Sequence, residues 1–417
     1  MSRHITFIVC RDSLGAVFDS IAMAPAANMR RRGCEADIVC MAPVGEYVRP
    51  ALRKRWQDRM NTAEQKLPGG LNRIPVSPSR FSRWLDDSQP LARWMRRIPD
   101  DRLLICCGAP AAYSALKARR KTGSSVRLIF YSLGPIAEEF ALARAGAENA
   151  ALSPEDSARR EVLRAWEHAA YVQSDAVICI SQAMKNHAAG LRGGNDRIVL
   201  IPCVTDTAFF CKDMSVRHSV RSKMGWESRL VVVFCGAVHA WQEMDALIRC
   251  FKIIKSVEPE ALFLLLPHRT AGLERLLGGS GINAADYALV QTIREEVPEW
   301  LAAADIGLIG RGLFKGLTRV NGFSSPIKAG EYLAAGLPII MSEGVGDASE
   351  LVRRTRTGCV LPAYAAESSA RNAIAEFLGQ LNADPENLRK RCLETAREHL
   401  DIQLYGNALE ELIGKLT

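Results

Sequence analysis

The sequence predicts a two-domain α/β protein whose parallel sheets are covered by helices on both faces. Three observations predict it. A chain of 417 residues is longer than one ordinary core organises. Its apolar runs are short and nearly continuous rather than alternating, as in strands buried on both faces. The runs also fall into two successive series, separated by a polar and basic stretch between residues 202 and 228.

The first series places strands at 5–10 (ITFIVC), 36–41 (ADIVCM), 103–107 (LLICC), 126–131 (VRLIFY), 176–180 (AVICI) and 198–201 (IVLI). Helical stretches lie between them, for instance 155–172. The second series runs through 230–235 (LVVVFC), 261–266 (ALFLLL), 287–290 (YALV), 305–309 (DIGLI), 338–342 (PIIMS) and 358–361 (GCVL). A helix over 242–256 would set Met244, Leu247, Ile248, Phe251 and Ile254 on one face. Each series opens with a strand running into a glycine-containing turn, the pattern of a Rossmann-like domain. The expected division is an N-terminal domain over 1–205, a C-terminal domain over 206–384, and a helical segment over 385–417 that returns to brace the first domain.

Composition narrows the class. Apolar residues make up 48% and charged residues 24%, the balance of a soluble globular chain. No apolar run reaches the length of a membrane-spanning helix, and Arg11-Asp12 cuts off the apolar start before it resembles a signal peptide. The twelve cysteines lie largely within the expected strands, where a thiol acts as a small hydrophobe, and none form a Cys-x-x-Cys pair. A reducing cytoplasm and no structural metal are the expectations. The net charge of +8 is uneven: residues 1–130 carry +12 and the remainder −4. Such a basic first half suits something anionic, a phospholipid surface or a lipid-phosphate acceptor. Nucleic acid fits less well, because no binding-module motif accompanies the charge.

Two stretches mix arginine with tryptophan, 49–60 (RPALRKRWQDRM) and 80–97 (RFSRWLDDSQPLARWMRR). Phe81, Trp84 and Leu85 can share a face, as can Leu91, Trp94 and Met95. One reading is peripheral contact with the inner face of an anionic membrane; the other is aromatics facing the core under a solvated basic surface. The adjacent acids Asp86-Asp87 and Asp100-Asp101 read as solvated.

The most informative stretch is Ser324-Ser325-Pro326-Ile327-Lys328-Ala329-Gly330-Glu331-Tyr332-Leu333-Ala334-Ala335-Gly336-Leu337-Pro338. Ser325 is placed as an N-cap and Pro326 at the first helical position. Gly336 would end the helix in a left-handed conformation, and Pro338 forbids its continuation. The result is a helix of roughly three turns. Its N-terminus exposes unpaired N–H groups, Lys328 adds a full positive charge, and Glu331 one turn on accepts hydrogen bonds from vicinal hydroxyls. A nucleoside diphosphate fits that set, and so does a capped surface helix carrying an ordinary Lys–Glu pair.

This stretch resembles the signature of the retaining GT-B glycosyltransferases of family 4, the group 1 transferases. The resemblance extends through Glu296-Val297-Pro298-Glu299-Trp300-Leu301-Ala302-Ala303-Ala304-Asp305-Ile306-Gly307-Leu308. It also takes in Ile180-Ser181-Gln182-Ala183-Met184-Lys185, Ile201-Pro202-Cys203-Val204-Thr205-Asp206, Val345-Gly346-Asp347 and Gly358. It covers residues 126–362 well and the first hundred weakly. It implies a GT-B fold, two Rossmann-like domains facing across a cleft, and transfer of a sugar from a nucleoside-diphosphate sugar, with UDP or GDP the leading nucleotides. The acceptor would be a glycan, a lipid-linked sugar or another glycoconjugate precursor, bound on the N-terminal side.

In that resemblance Glu331 holds the ribose, and the backbone around Ser324, Ser325, Ile327 and Lys328 holds the diphosphate. Gly236 and Gln242 belong to the turn that covers the phosphates, and Gly15 approaches from the first domain. Lys328, Arg311 and His239 are the expected phosphate stabilisers. No cofactor or obligatory metal is implied, since no Asp-x-Asp triplet occurs. The match also departs from the family. Phe323 stands where a first glutamate is usual, and Ala237 and Gln242 stand where an Arg/Lys clamp is usual. The turn 236–242 resembles a subgroup with Gly-x-x-His-x-Trp instead. Segment 130–135 lacks the Asp and Arg of the Asp-x-Arg-Gly segment it resembles. A catalytically silent homologue that binds a partner transferase, or an epimerase acting on the nucleotide sugar, are the alternatives.

Overall fold

The computed structural model describes residues 4–11, 18–44, 48, 50–77, 86–146, 151–237, 242–267, 272–314 and 318–416. The chain divides into two compact units, Met1–Val204 with Ile402–Thr417, and Thr205–Asp401. Each is a Rossmann-like parallel sheet covered by helices, as the sequence predicts.

In the first unit the sheet has seven strands: β1 (His4–Cys10), β2 (Glu35–Pro43), β3 (Leu71–Val76), β4 (Leu103–Cys107), β5 (Arg127–Ser132), β6 (Ala176–Cys179) and β7 (Ile198–Leu200). Their order is β3-β2-β1-β4-β5-β6-β7, every pairing parallel. The strand pattern misses β3, and the reason is physical. Leu71–Val76 is an edge strand carrying Pro75, with Arg73 exposed, so it lacks the continuous apolar run of a central strand.

The last helix, Ile402–Lys415, belongs to this first unit. Tyr405 is fully buried with its ring 5.9 Å from that of Tyr131. Arg32 reaches the carbonyl of Gln403 at 3.3 Å and also bonds Asn407. Gly406 is necessary, since a Cβ there would lie 2.5 Å from Asn28 Oδ1 and closer still to Arg32.

The second unit has six parallel strands, β8 (Val231–Cys235), β9 (Leu262–Leu266), β10 (Tyr287–Leu289), β11 (Ile306–Leu308), β12 (Ile339–Ser342) and β13 (Gly358–Leu361), in the order β10-β9-β8-β11-β12-β13. The helix Met244–Val257 buries Met244, Leu247, Ile248, Phe251 and Ile254 as its period predicts, with Phe251 stacked on Phe263 at 4.8 Å. Asp305 ties the sheet's entry together. It pairs with Arg217 and with Arg221 at 3.0 Å, and accepts the Val231 N–H at 2.7 Å. Among the described residues no helix is long and apolar enough to cross a membrane.

One expectation about the basic half needs correction. Asp87 is not solvated: it is 4% exposed and takes both ends of the Arg11 guanidinium, at 2.9 and 2.7 Å. Asp86 pairs with Lys117 at 2.6 Å. Asp100 is exposed, as expected. Of the two readings left open for the aromatic stretches, the described residues favour the one that faces the core. Trp56 is buried under Arg73, 3.8 Å from its ring centre, and Leu91 and Met95 are buried too, leaving Trp94 half-exposed. Phe81, Trp84 and Leu85 lie outside the described residues.

Candidate functional site

In the second unit the strand ends at the carboxyl edge bring most of the expected site residues together. β8 ends in Cys235 and turns at Gly236, whose N–H bonds the Leu266 carbonyl at 3.0 Å. Gly236 has φ +124°, which only glycine adopts readily. A Cβ there would also lie 2.9 Å from Lys328 Cε and 3.1 Å from Nζ. The glycine therefore serves two needs, a backbone turn and close approach of a lysine. Residues 238–241 of the turn, His239 included, lie outside the described residues, as does Gly15 of the first unit.

The helix carrying Lys328 spans Ile327–Ala334, a little over two turns. Here the structure corrects the expected cap. The N-cap is Pro326, not Ser325, and no side chain caps it. Ser324 explains the shift: its Oγ donates to the Asn321 carbonyl at 2.7 Å and its N–H to the same oxygen at 3.1 Å, closing the preceding short helix Arg319–Gly322. The chain thus arrives at Pro326 in an extended conformation, and the helix opens on Ile327 with its first amides unoccupied by a serine hydroxyl. At the other end Gly336 adopts φ +80° and Leu337 N–H bonds the Tyr332 carbonyl at 2.9 Å, the left-handed termination the sequence predicts.

One residue of this helix that the sequence left without a role fixes its position. Tyr332 is fully buried; its hydroxyl accepts the N–H of Cys235 at 2.9 Å, and its ring fills the place where Gly307 lacks a side chain. A Cβ on Gly307 would fall 2.3 Å from that ring. The helix is thereby pinned to β8 and β11 together, which holds Lys328 over the Gly236 turn. The signal was present in the pairing of an aromatic with a mid-strand glycine, but pattern alone does not reveal which aromatic faces which glycine.

Electrostatically, Lys328 is a cation in difficulty. Burial first, and the Arg311 charge second, bring its pKa down from the usual lysine value to about 8. Its Nζ lies 5.3 Å from the Phe234 ring centre. Arg311 follows β11 at the same edge and is half-buried. Its segment is packed hard on the end of the Gly236 turn. A Cβ at Gly310 would lie 2.2 Å from the Gln242 carbonyl, and Gly312 N–H donates to Glu243 Oε2 at 3.0 Å. Gln242 is 4% exposed and its Oε1 has no hydrogen-bond partner among the described residues.

Glu331, one turn after Lys328, is buried and its Oε1 accepts from Arg294 Nη1 at 3.1 Å. Arg294 was not among the residues expected at the site. Phe323 packs beneath the Arg319 guanidinium, 4.9 Å from its ring centre. Among the described residues no cluster of His, Cys, Asp or Glu is arranged to hold a metal ion. Chemically, the edge offers two neighbouring cations, the amino end of a helix and a buried carboxylate, which together suit a bound diphosphate with a hydroxyl-bearing group beside it.

Residues 21–203 match the glycosyl transferase 4-like domain, and residues 229–380 match the domain of the glycosyl transferases group 1. No curated protein matches the chain. Among solved structures the chain is similar to Anabaena HepE in complex with UDP-glucose, at 14% identity over 99% of each chain with a TM-score of 0.67. It is similar to sucrose-phosphate synthase from Thermosynechococcus elongatus, at 15% identity over 99% of each chain with a TM-score of 0.69. It is similar also to the catalytic domain of starch synthase IV from Arabidopsis thaliana bound to ADP and acarbose, at 14% identity, again over 99% of each, with a TM-score of 0.65. At such identities the likeness establishes the fold, which is GT-B.

Proposed function

The chain belongs to the group 1 glycosyl transferases, and from that premise we propose that it transfers a sugar from a nucleoside-diphosphate sugar to a glycan or lipid-linked acceptor, with retention at the anomeric carbon. The observation that carries the reading is Lys328, held against Gly236 with Arg311 beside it. Two cations kept near each other at a carboxyl sheet edge raise the free energy of the empty site, and a diphosphate relieves it.

The residues divide the work as follows. Lys328, Arg311 and His239 neutralise charge as the leaving diphosphate departs. The amides at Ser325, Ile327 and Lys328 bind phosphate oxygens, with Ser324 shaping the approach and Gln242 and Gly236 closing the turn over them. Glu331 accepts from the ribose. As the anomeric bond breaks with oxocarbenium character, stabilisation is electrostatic and needs no general base of its own on this side. UDP is the first nucleotide to test, because HepE was solved with UDP-glucose. The acceptor is expected on the basic N-terminal domain. Peripheral contact with an anionic lipid surface would rest on its cations, since Trp56, Leu91 and Met95 are committed to the core.

A second reading has one observation in its favour. Phe323, under Arg319, occupies the place of a usual sugar-contacting glutamate, which suits a homologue that binds the nucleotide sugar without turning it over. Both readings are tested by a thermal-shift screen against UDP, GDP, ADP and their sugar conjugates, with Glu331→Ala as control, followed by product analysis. Stabilisation by one nucleotide, lost in the variant, supports the donor site. Release of that nucleotide coupled to a glycosylated product of unchanged anomeric configuration supports the transferase. Binding without product supports the silent homologue, and no stabilisation by any nucleotide defeats both.

A further inference from the structure

Arg294 lies in the loop between β10 and the helix Val297–Ala303, at the same carboxyl edge as Lys328 and far from Glu331 in sequence. Its Nη1 donates to Glu331 Oε1 at 3.1 Å, and its guanidinium stands 5.6 Å from the centre of the buried Phe210 ring. Phe210 is itself held by the short helix Thr207–Phe210, whose N-cap Asp206 accepts the Phe209 N–H at 3.2 Å. The arginine is therefore fixed from below and meets only one of the two carboxylate oxygens. Oε2 makes no hydrogen bond among the described residues.

Resting on the nucleotide-sugar reading, we propose that Arg294 is a positioning residue that sets the site's preference for ribonucleotides. It holds Glu331 by Oε1 and presents Oε2 to the ribose diol. A buried carboxylate with rotamer freedom binds a diol poorly, because each hydroxyl contact must first order it; a carboxylate anchored at one oxygen by a charged guanidinium has part of that ordering done in advance. The Arg294 guanidinium also offsets the charge of this buried carboxylate, from a loop separate from the helix that carries Lys328.

The test is calorimetric titration of wild type, Arg294→Met and Arg294→Lys with UDP, GDP and ADP and their 2′-deoxy counterparts. For the nucleotide that wild type binds, the ribo form is expected to bind about tenfold tighter than the deoxy form. Arg294→Met is expected to weaken the ribo form about tenfold and the deoxy form about twofold or less, collapsing the ratio, with Arg294→Lys in between. In turnover assays the loss should appear in donor KM rather than kcat. Equal weakening of both forms would mean a structural role only and overturns the proposal. Tighter ribonucleotide binding by Arg294→Met would mean that the arginine competes with the ribose, which overturns it as well. If wild type binds none of the six nucleotides, the nucleotide-sugar reading itself fails, an outcome distinct from the other two.

Discussion

The carboxyl edges of the two sheets treat their cations in opposite ways. In the first unit Arg11 leaves β1 in a left-handed conformation, φ +63°, and is met by Asp87 at both ends, with a further bond to the Ser77 carbonyl at 3.0 Å. Asp87 in turn receives the Cys10 thiol at 3.3 Å, and its own N–H bonds the Ser114 hydroxyl. In the second unit Lys328 has another cation as its main charged influence, and its amine is depressed to about 8. A cation answered by a carboxylate within its own fold is part of the architecture. One kept beside a like charge, over a glycine that makes room for it, is what the proposed donor site requires, since a bound diphosphate would offset both charges.

The comparison breaks or sharpens on four measurements. Lys328→Met should have the largest effect, lowering donor kcat/KM by about 10²- to 10³-fold, the scale of losing one preorganised charge-stabilising donor. The same variant should hold or raise Tm, because it removes a partly desolvated like charge. A fall in Tm of many degrees would make Lys328 structural and erase the contrast. Next, Asp87→Ala should destabilise the chain by about 3 kcal/mol, since it strands a largely buried guanidinium. Nucleotide affinity measured on folded protein should not change. A lower nucleotide affinity would show that the Arg11 edge is also a ligand site.

Gly236→Ala comes third. The added methyl would meet Lys328 Cε at 2.9 Å at a φ unfavourable to alanine, so nucleoside-diphosphate affinity should fall about tenfold. Unaltered affinity by titration would mean that the lysine has room elsewhere. The smallest effect is that of pH. Above about 8 the Lys328 amine loses its proton, so nucleoside-diphosphate affinity should fall by up to about tenfold per pH unit. Stability moves the other way. A lysine depressed in the fold binds fewer protons there than when unfolded, so its penalty is full below about 8 and is relieved as pH rises toward the ordinary lysine value. Affinity independent of pH between 7 and 9, in wild type and Lys328→Met alike, would remove the amine from the site.

The basic first half shows where charge counting stops being informative. Its excess of cations is real, but Asp86 and Asp87, read as solvated, are taken up by Lys117 and Arg11. Trp56, for which a membrane face and the core both stood open, lies in the core beneath Arg73. Net charge adds all residues alike, whereas burial selects which of them remain available. Edge strand β3 was missed for a related reason: Pro75 and the exposed Arg73 mask a strand that only its neighbour's unpaired edge makes favourable.

What the sequence determined by itself is whatever local chemistry fixes. Continuous apolar runs gave parallel buried strands, because both faces must be apolar where helices cover a sheet. Gly336 and Pro338 gave the end of the Ile327–Ala334 helix, and the spacing of Lys328 and Glu331 put both on one side of it. Tertiary structure alone decided the partners. Asn321 and Ser324 moved the helix start from Ser325 to Pro326. Tyr332 found Gly307 and the Cys235 amide, Arg294 found Glu331 across 37 residues, and the last helix found Arg32 in the first unit. Such contacts join residues distant in the chain. Their free energy depends on shape and on what else is buried nearby, and neither is written in the spacing of residues along one strand or helix.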